Sequence, residues 1–262
     1  MIITTSYNPD DNLIIRSHSF AEELEAKYIT RGKKSLAKLM SEQNTDELIV
    51  VDKETINYYN KASEQPFFFH PSIAILRINR IKQGDNDLMV QIANLSPGDS
   101  FLDCTLGMAT DSLVASYVVG STGRVVGLES QSIIAAIVKD GLNRGWPNDT
   151  GVDIAMKLIE VESIYHYDYL KTLPDNSFDV IYFDPMFRNG IKKSAPFNPI
   201  RGIANHSSIT EETIEEAKRV AKRKIILKES IKSNEFERLG FKPHTRSAFI
   251  TYGVISVSGD KF

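Results

Sequence analysis

The chain has 262 residues, 42% hydrophobic and 25% charged, with a formal net charge of −3; that length can bury a sizeable core without covalent staples, and the near-neutral balance leaves nucleic-acid binding to be decided by local charge. The lone Cys104 excludes an internal disulfide framework and a multi-cysteine zinc site. No run approaches the roughly 18 apolar residues of a membrane span, and MIITTSYNPDD lacks a cationic stretch ahead of an apolar one, so a cytoplasmic enzyme or binding protein away from membranes is expected.

Residues 1–70 mix short strand-like and helix-like pieces and are expected to form a small α+β lobe. In SFAEELEAKYI, Phe20, Leu24 and Tyr28 recur at helical spacing, whereas Leu48 to Val51 is β-branched and too short for a helix. The run Phe67-Phe68-Phe69 could stack bases, but ahead of a helix it better suits seating the lobe on the sheet. SIAILRINRI and DNDLMVQIANL predict two helices, the second ending before the Ser96-Pro97-Gly98-Asp99 turn.

From Ser100 the chain settles into an alternation of apolar strand and amphipathic helix, and residues 71–262 are expected to form a second, larger domain. SFLDCTLG, GRVVGLES, KLIEVES, FDVIYFDP and KIILKES predict five strands, with helices over 111–119, 133–143 and 211–222. FKPHTRSAFITYGVISV is expected to close the sheet as an antiparallel element. This rhythm predicts an α/β fold with a mostly parallel sheet, helices on both faces, and ligands beyond the carboxyl ends of the strands.

The first of these strands runs into Asp103-Cys104-Thr105-Leu106-Gly107-Met108-Ala109, where small residues let a ligand approach the backbone. A dinucleotide fingerprint would need three glycines at G-x-G-x-x-G, and only Gly107 is present. An acid at Asp103 instead suits an ammonium group such as S-adenosylmethionine carries. Glu129, ending the second strand, can accept both hydroxyls of a ribose, and Asp168, after the third, can accept from an adenine amine. Each acid alone could equally be a helix cap or a surface charge; together they match three donor-rich parts of one cofactor.

The fourth strand ends at Asp184-Pro185-Met186-Phe187. A base's exocyclic amine is a poor nucleophile, because its lone pair is delocalised into the ring, so acceptors must hold its hydrogens during attack. Asp184 and the carbonyls beside Pro185 are such acceptors, and Phe187 offers a face for stacking. Beyond it, Arg188, Lys192, Lys193 and Arg201 form a stretch without acids, as phosphate contacts require. The five histidines lack metal-ligand spacing and are expected mostly on the surface or at caps, with no metal bound; nucleophile-elbow and P-loop motifs are absent from the sequence.

With DCTLGMATD, LES, KDGLNRG, FDPMF and KKSA in this order, the chain resembles the class I S-adenosylmethionine-dependent methyltransferases, and more narrowly the J-type enzymes that methylate guanine N2 of small-subunit ribosomal RNA. The resemblance implies a Rossmann-like methyltransferase fold, S-adenosylmethionine as cofactor, and RNA, as small-subunit ribosomal RNA or its particle, as partner. It also implies cofactor contacts at Thr110, Asp111, Glu129, Ser130, Asp168, Tyr169 and Asp184, in addition to Asp103, Thr105 and Gly107, and substrate contacts through the segment holding Ser194. Ala109 stands where the family has glycine, Thr110 and Ser130 where it has arginine, and Arg188 where it has proline. An amino-methyltransferase for DNA or a small molecule, and a non-catalytic RNA-binding assembly factor, are the alternatives.

Overall fold

The computed structural model describes residues 1–63, 65–186, 202–244 and 250–257. At the amino terminus, β1 (Ile2–Thr5) lies parallel to both β2 (Lys27–Tyr28) and β3 (Glu47–Val51), and β4 (Ile56–Asn60) pairs antiparallel with β3 to complete a four-stranded sheet. Between β1 and β2 runs α1 (Asp11–Glu23), whose start is set by the Asp10 carboxylate accepting from the Leu13 amide at 2.9 Å. The helix stops sooner than the spacing of Phe20, Leu24 and Tyr28 predicts. Glu25 takes a left-handed φ of 50° and the Ala26 amide donates back to the Ala21 carbonyl at 2.8 Å, a closure that turns Tyr28 into β2. A short α2 (Leu36–Glu42) covers the other side, its residues Leu39 and Met40 buried with Ile2, Leu48 and Val50.

Two helices, α3 (Ser72–Lys82) and α4 (Leu88–Ala93), lead into the larger sheet. That sheet is built in chain order from β5 (Ser100–Asp103), β6 (Arg124–Leu128), β7 (Ile159–Glu162), β8 (Phe178–Phe183), β9 (Ala221–Ser230), β10 (Lys242–His244) and β11 (Ile250–Ser256). Their spatial order is β10-β11-β9-β8-β5-β6-β7. The strands from β9 to β7 are parallel, while β11 enters antiparallel between β9 and β10, as the tail of the sequence predicts. From β5 the chain moves outward to β6 and β7, then returns to the other side for β8 and β9, so the strand order reverses between β5 and β8. A crevice opens at such a reversal, because the connections leave the two carboxyl ends in opposite directions.

Alternate residues of each central strand serve opposite faces, the period of an extended chain. Phe101, Val125, Val180, Tyr182 and Ile226 bury against α5 (Thr110–Val119), α6 (Ser132–Arg144) and α7 (Thr150–Lys157). Leu102, Val126, Ile181, Phe183 and Ile225 bury against α8 (His166–Thr172), α9 (Glu211–Val220) and α10 (Glu235–Leu239). The first face continues without interruption into Ile3, Ile49 and Tyr58 of the small sheet. Phe69 is the hinge of that continuity: its ring lies so close to Gly141 of α6 that a Cβ there would meet it at 2.1 Å. Arg16 of α1 reinforces the junction with bonds to both oxygens of Asp140 at 2.7 and 2.8 Å. Phe67 and Phe69 are buried and Phe68 is turned outward, so two of the three rings take the packing role.

Candidate active site

The crevice between β5 and β8 holds a cavity lined by Cys104, Thr105, Gly107, Glu129, His166 and Asp184. The β5–α5 loop forms its floor. Gly107 adopts φ 49° and Ala109 φ 55°, two left-handed residues in one short turn. Glycine takes that conformation freely, whereas a Cβ at Ala109 costs roughly 1–2 kcal/mol, the strain that a glycine at this place in the family avoids. The turn is tied down from both sides. The Asp184 amide donates to Thr105 Oγ1 at 2.6 Å, and the Gly107 amide donates to Glu129 Oε2 at 3.2 Å.

Of the residues singled out from the sequence, Thr105, Gly107, Glu129, Ser130, Asp184 and Pro185 line this cavity together. Asp103 lies beneath it: Oδ1 accepts from the Thr105 amide at 3.0 Å and Oδ2 from Ser112 Oγ at 2.6 Å, and burial pushes its carboxyl up to about 7. Thr110 opens α5 outside the cavity wall, and Asp111, one residue on, is buried in ion pairs with Arg77 and Lys228. Asp168 is exposed on α8 and Tyr169 packs its ring partly into the core on that face. Phe187, Arg188, Lys192, Lys193, Ser194 and Arg201 lie outside the described residues.

The residue of α8 that does reach the cavity is His166. It departs from the surface placement expected of the histidines because α8 begins at it. Two residues along a helix turn the side chain by about 200°, so with His166 inward Asp168 faces out. Its ring stacks on Tyr165 at 4.2 Å, meets Phe183 edge-on at 5.7 Å and hydrogen-bonds the Cys104 backbone, while Nε2 is buried and has no partner among the described residues. Burial lowers its pKa to about 4, so the ring is neutral at physiological pH. With its one N–H given to the Cys104 carbonyl, the neutral ring presents the Nε2 lone pair to whatever fills the cavity.

Glu129 completes that wall. Its Oε1 accepts from the Gln131 amide at 2.9 Å and its Oε2 from Gly107, so the carboxylate is oriented by backbone rather than by a cation. Burial raises its pKa and those amide bonds partly restore its acidity. The Ser130 amide and hydroxyl act on the same carboxylate, which stands at the cavity wall without a cation, as an acceptor for vicinal hydroxyls requires. Residues beyond the β8 loop roof the cavity with Ala204, Asn205, Ser207 and Ile209, Asn205 donating to Ser130 Oγ at 3.2 Å.

On the opposite flank the side chains pair with one another. Lys228 of β9 donates to Asp184 Oδ2 at 2.8 Å and to Asp111 Oδ2 at 3.0 Å. The Tyr182 hydroxyl donates to Asp111 Oδ2 at 2.8 Å, and Arg77 of α3 binds both Asp111 and Asp87. Burial works to raise both acids; Lys228 and Arg77 outweigh it at Asp111, which is held below the usual carboxylate range. At Asp184 burial prevails over the shared Lys228, and the nearby Asp111 adds to it, so that carboxyl titrates above the usual range. Sequence spacing gave no sign of this cluster.

An unpartnered buried nitrogen, an acid braced by amides and a glycine turn that leaves room for backbone approach fit the adenosyl and ribosyl parts of S-adenosylmethionine. Among the described residues there is no group of three or more His, Cys, Asp or Glu side chains able to hold a metal ion, and no helix long and apolar enough to cross a membrane.

Known proteins resemble this chain in sequence and in fold. Residues 33–246 match a family model described as "Putative SAM-dependent methyltransferase". The chain is 41% identical to the uncharacterised protein YpiP of Bacillus subtilis over 98% of its own length and 100% of that protein. It is 25% identical to the ribosomal RNA small subunit methyltransferase J of Buchnera aphidicola over 74% of this chain and 80% of the relative. Among solved structures, the SAM-dependent methyltransferase NGO1261 of Neisseria gonorrhoeae superposes with a TM-score of 0.67, covering 100% of this chain and 98% of the other at 12% identity, a likeness of fold.

Proposed function

Since the chain belongs to the family of SAM-dependent methyltransferases, we propose that it methylates an exocyclic base amine in RNA, with guanine N2 of small-subunit ribosomal RNA as the acceptor. S-adenosylmethionine, when bound, supplies a methyl group on a sulfonium, an electrophile that needs no metal. Glu129 holds the ribose, His166 Nε2 meets the adenosyl group, and Thr105 and Gly107 give the chain its close approach. Asp103 shapes the methionine end with Gly107 from beneath the cavity, Ser130 lines the same wall as Glu129, and the family resemblance implies further cofactor contacts at Thr110, Asp111, Asp168 and Tyr169.

The observation that carries the reading is Asp184. One of its oxygens is held by Lys228 and, among the described residues, the other accepts no hydrogen bond, at a cavity wall it shares with Pro185. An amine placed there donates a hydrogen to the free oxygen, which concentrates the lone pair on nitrogen for attack on the methyl carbon. As the new N–C bond forms and the C–S bond breaks, the electron pair leaves with sulfur and Asp184 takes the proton from nitrogen. Phe187 stacks the base, and Arg188, Lys192, Lys193, Ser194 and Arg201 contact the RNA backbone in this reading. The relationship to a methyltransferase named for small-subunit ribosomal RNA supports RNA as the acceptor.

The test is transfer of labelled methyl from S-adenosylmethionine to RNA and to small-subunit particles from cells lacking the protein, followed by nucleoside analysis. Label in N2-methylguanosine is expected. Label confined to another nucleoside overturns the guanine assignment, and label in DNA or small amines but none in RNA overturns the acceptor class.

A further inference from the structure

Lys228 stands on β9, one strand over from the loop that carries Asp184. Its ammonium bridges two carboxylates from different elements, Asp184 at 2.8 Å and Asp111 at 3.0 Å, with the lysine side chain only 19% exposed. A lysine buried this far would be expected to lose its proton, yet the two acids outweigh desolvation and keep it charged. Asp111 does not depend on Lys228 alone, because Arg77 and the Tyr182 hydroxyl hold it from the other side. Asp184 does: Lys228 is its sole ion-pair partner among the described residues.

We propose that Lys228 is a positioning residue for Asp184, pinning Oδ2 so that Oδ1 faces the acceptor amine and keeping the carboxylate ionised so that it can take the proton. This rests on Asp184 being the proton acceptor of the proposed reaction. The surroundings explain the need. Asp184 faces Lys228 and Glu229 from β9, Asp111 from α5, Asp103 from β5, Tyr182 from β8 and Arg77 from α3, with Tyr252 of β11 set against Lys228. Two cations, Arg77 and Lys228, serve Asp87, Asp111 and Asp184, so the cluster is one positive charge short even with Lys228 in place. Without it, a buried carboxyl surrounded by other acids takes up a proton and can no longer accept one.

The experiment is a titration of Asp carboxyl carbons by 13C NMR in the cofactor-free protein, with Asp184→Asn identifying the signal. Lys228→Met is expected to raise the Asp184 midpoint by about one to three pH units, and Lys228→Arg to leave it near the wild-type value. Asp111→Asn is expected to lower it, since Lys228 then serves Asp184 alone. In methyl transfer the acidic limb of the pH–rate profile moves up in Lys228→Met, and activity recovers at alkaline pH. A midpoint that does not move in folded Lys228→Met, or equal loss of turnover at every pH in Lys228→Met and Lys228→Arg, overturns the proposal. Should Lys228→Met fail to fold, an Asp184 midpoint that fails to fall in Asp111→Asn overturns it by itself. The titration needs no acceptor, so full turnover in Asp184→Ala would sink the proposed reaction while leaving the Lys228 coupling to be judged separately.

Discussion

The two flanks of the β5–β8 crevice solve the problem of buried polar groups in opposite ways. On the Glu129 flank, backbone amides of Gly107 and Gln131 brace a single carboxylate, and a neutral His166 leaves one nitrogen unused. On the Asp184 flank, side-chain charges from four elements satisfy one another through Lys228 and Arg77. Bracing by amides leaves an acid with no bound cation, which suits a ligand that brings donors. Bracing by a shared cation sets the protonation state, which suits a group that must gain and lose a proton.

That contrast is broken or sharpened by substitution. Asp184→Ala should lower kcat by roughly 10²–10⁴-fold, the range for a positioned acid–base group, with a far smaller effect on S-adenosylmethionine affinity measured by calorimetry. In the wild type the ionised carboxylate is the active form and burial raises its pKa, so turnover should fall with pH already above the ordinary carboxylate range, toward the Asp184 midpoint. Glu129→Ala should do the reverse and weaken cofactor binding roughly 10- to 100-fold, while kcat at saturating cofactor changes little. If both substitutions alter binding and turnover alike, the two flanks are not functionally distinct.

Smaller effects test the frame that holds the flanks. Gly141→Ala places a Cβ 2.1 Å from the Phe69 ring and should destabilise the protein by about 1–3 kcal/mol in urea unfolding, with cofactor affinity preserved. The smallest effect concerns Asp103. Its folded pKa is raised to about 7, so the native state binds the proton more tightly than the unfolded chain, and stability should decline as pH rises from near 4 through 7. Asp103→Asn should flatten that part of the stability curve, as thermal melts across the same window would show.

Local pattern carried the fold a long way. The strand–helix alternation from Ser100 specifies a mostly parallel sheet, and the apolar tail announces an antiparallel closure, because both depend on runs of neighbouring residues. The acids at strand ends were visible for the same reason. What spacing could not give was rotational phase: Asp168 and His166 sit two residues apart, and only the point where α8 starts decides which of them enters the cavity. The short helix α10 has too few residues to display a period. The ion-pair cluster is nonlocal, with Lys228 separated from Asp111 by 117 residues and from Asp184 by 44, so it becomes visible only once β8 and β9 lie side by side. Ala109 shows the converse, a departure from a family glycine that is legible in sequence but whose cost, a left-handed φ, is legible only in structure.

The most direct test of this two-flank site is a crystal structure with S-adenosylhomocysteine. The ribose hydroxyls are expected on the Glu129 carboxylate, the adenosyl group within reach of His166 Nε2, and the sulfur turned toward Asp184 with Lys228 still on its Oδ2. A ligand seated outside the Cys104–Glu129–Asp184 cavity, or one that displaces Lys228 to bind Asp184 and Asp111 itself, would contradict it.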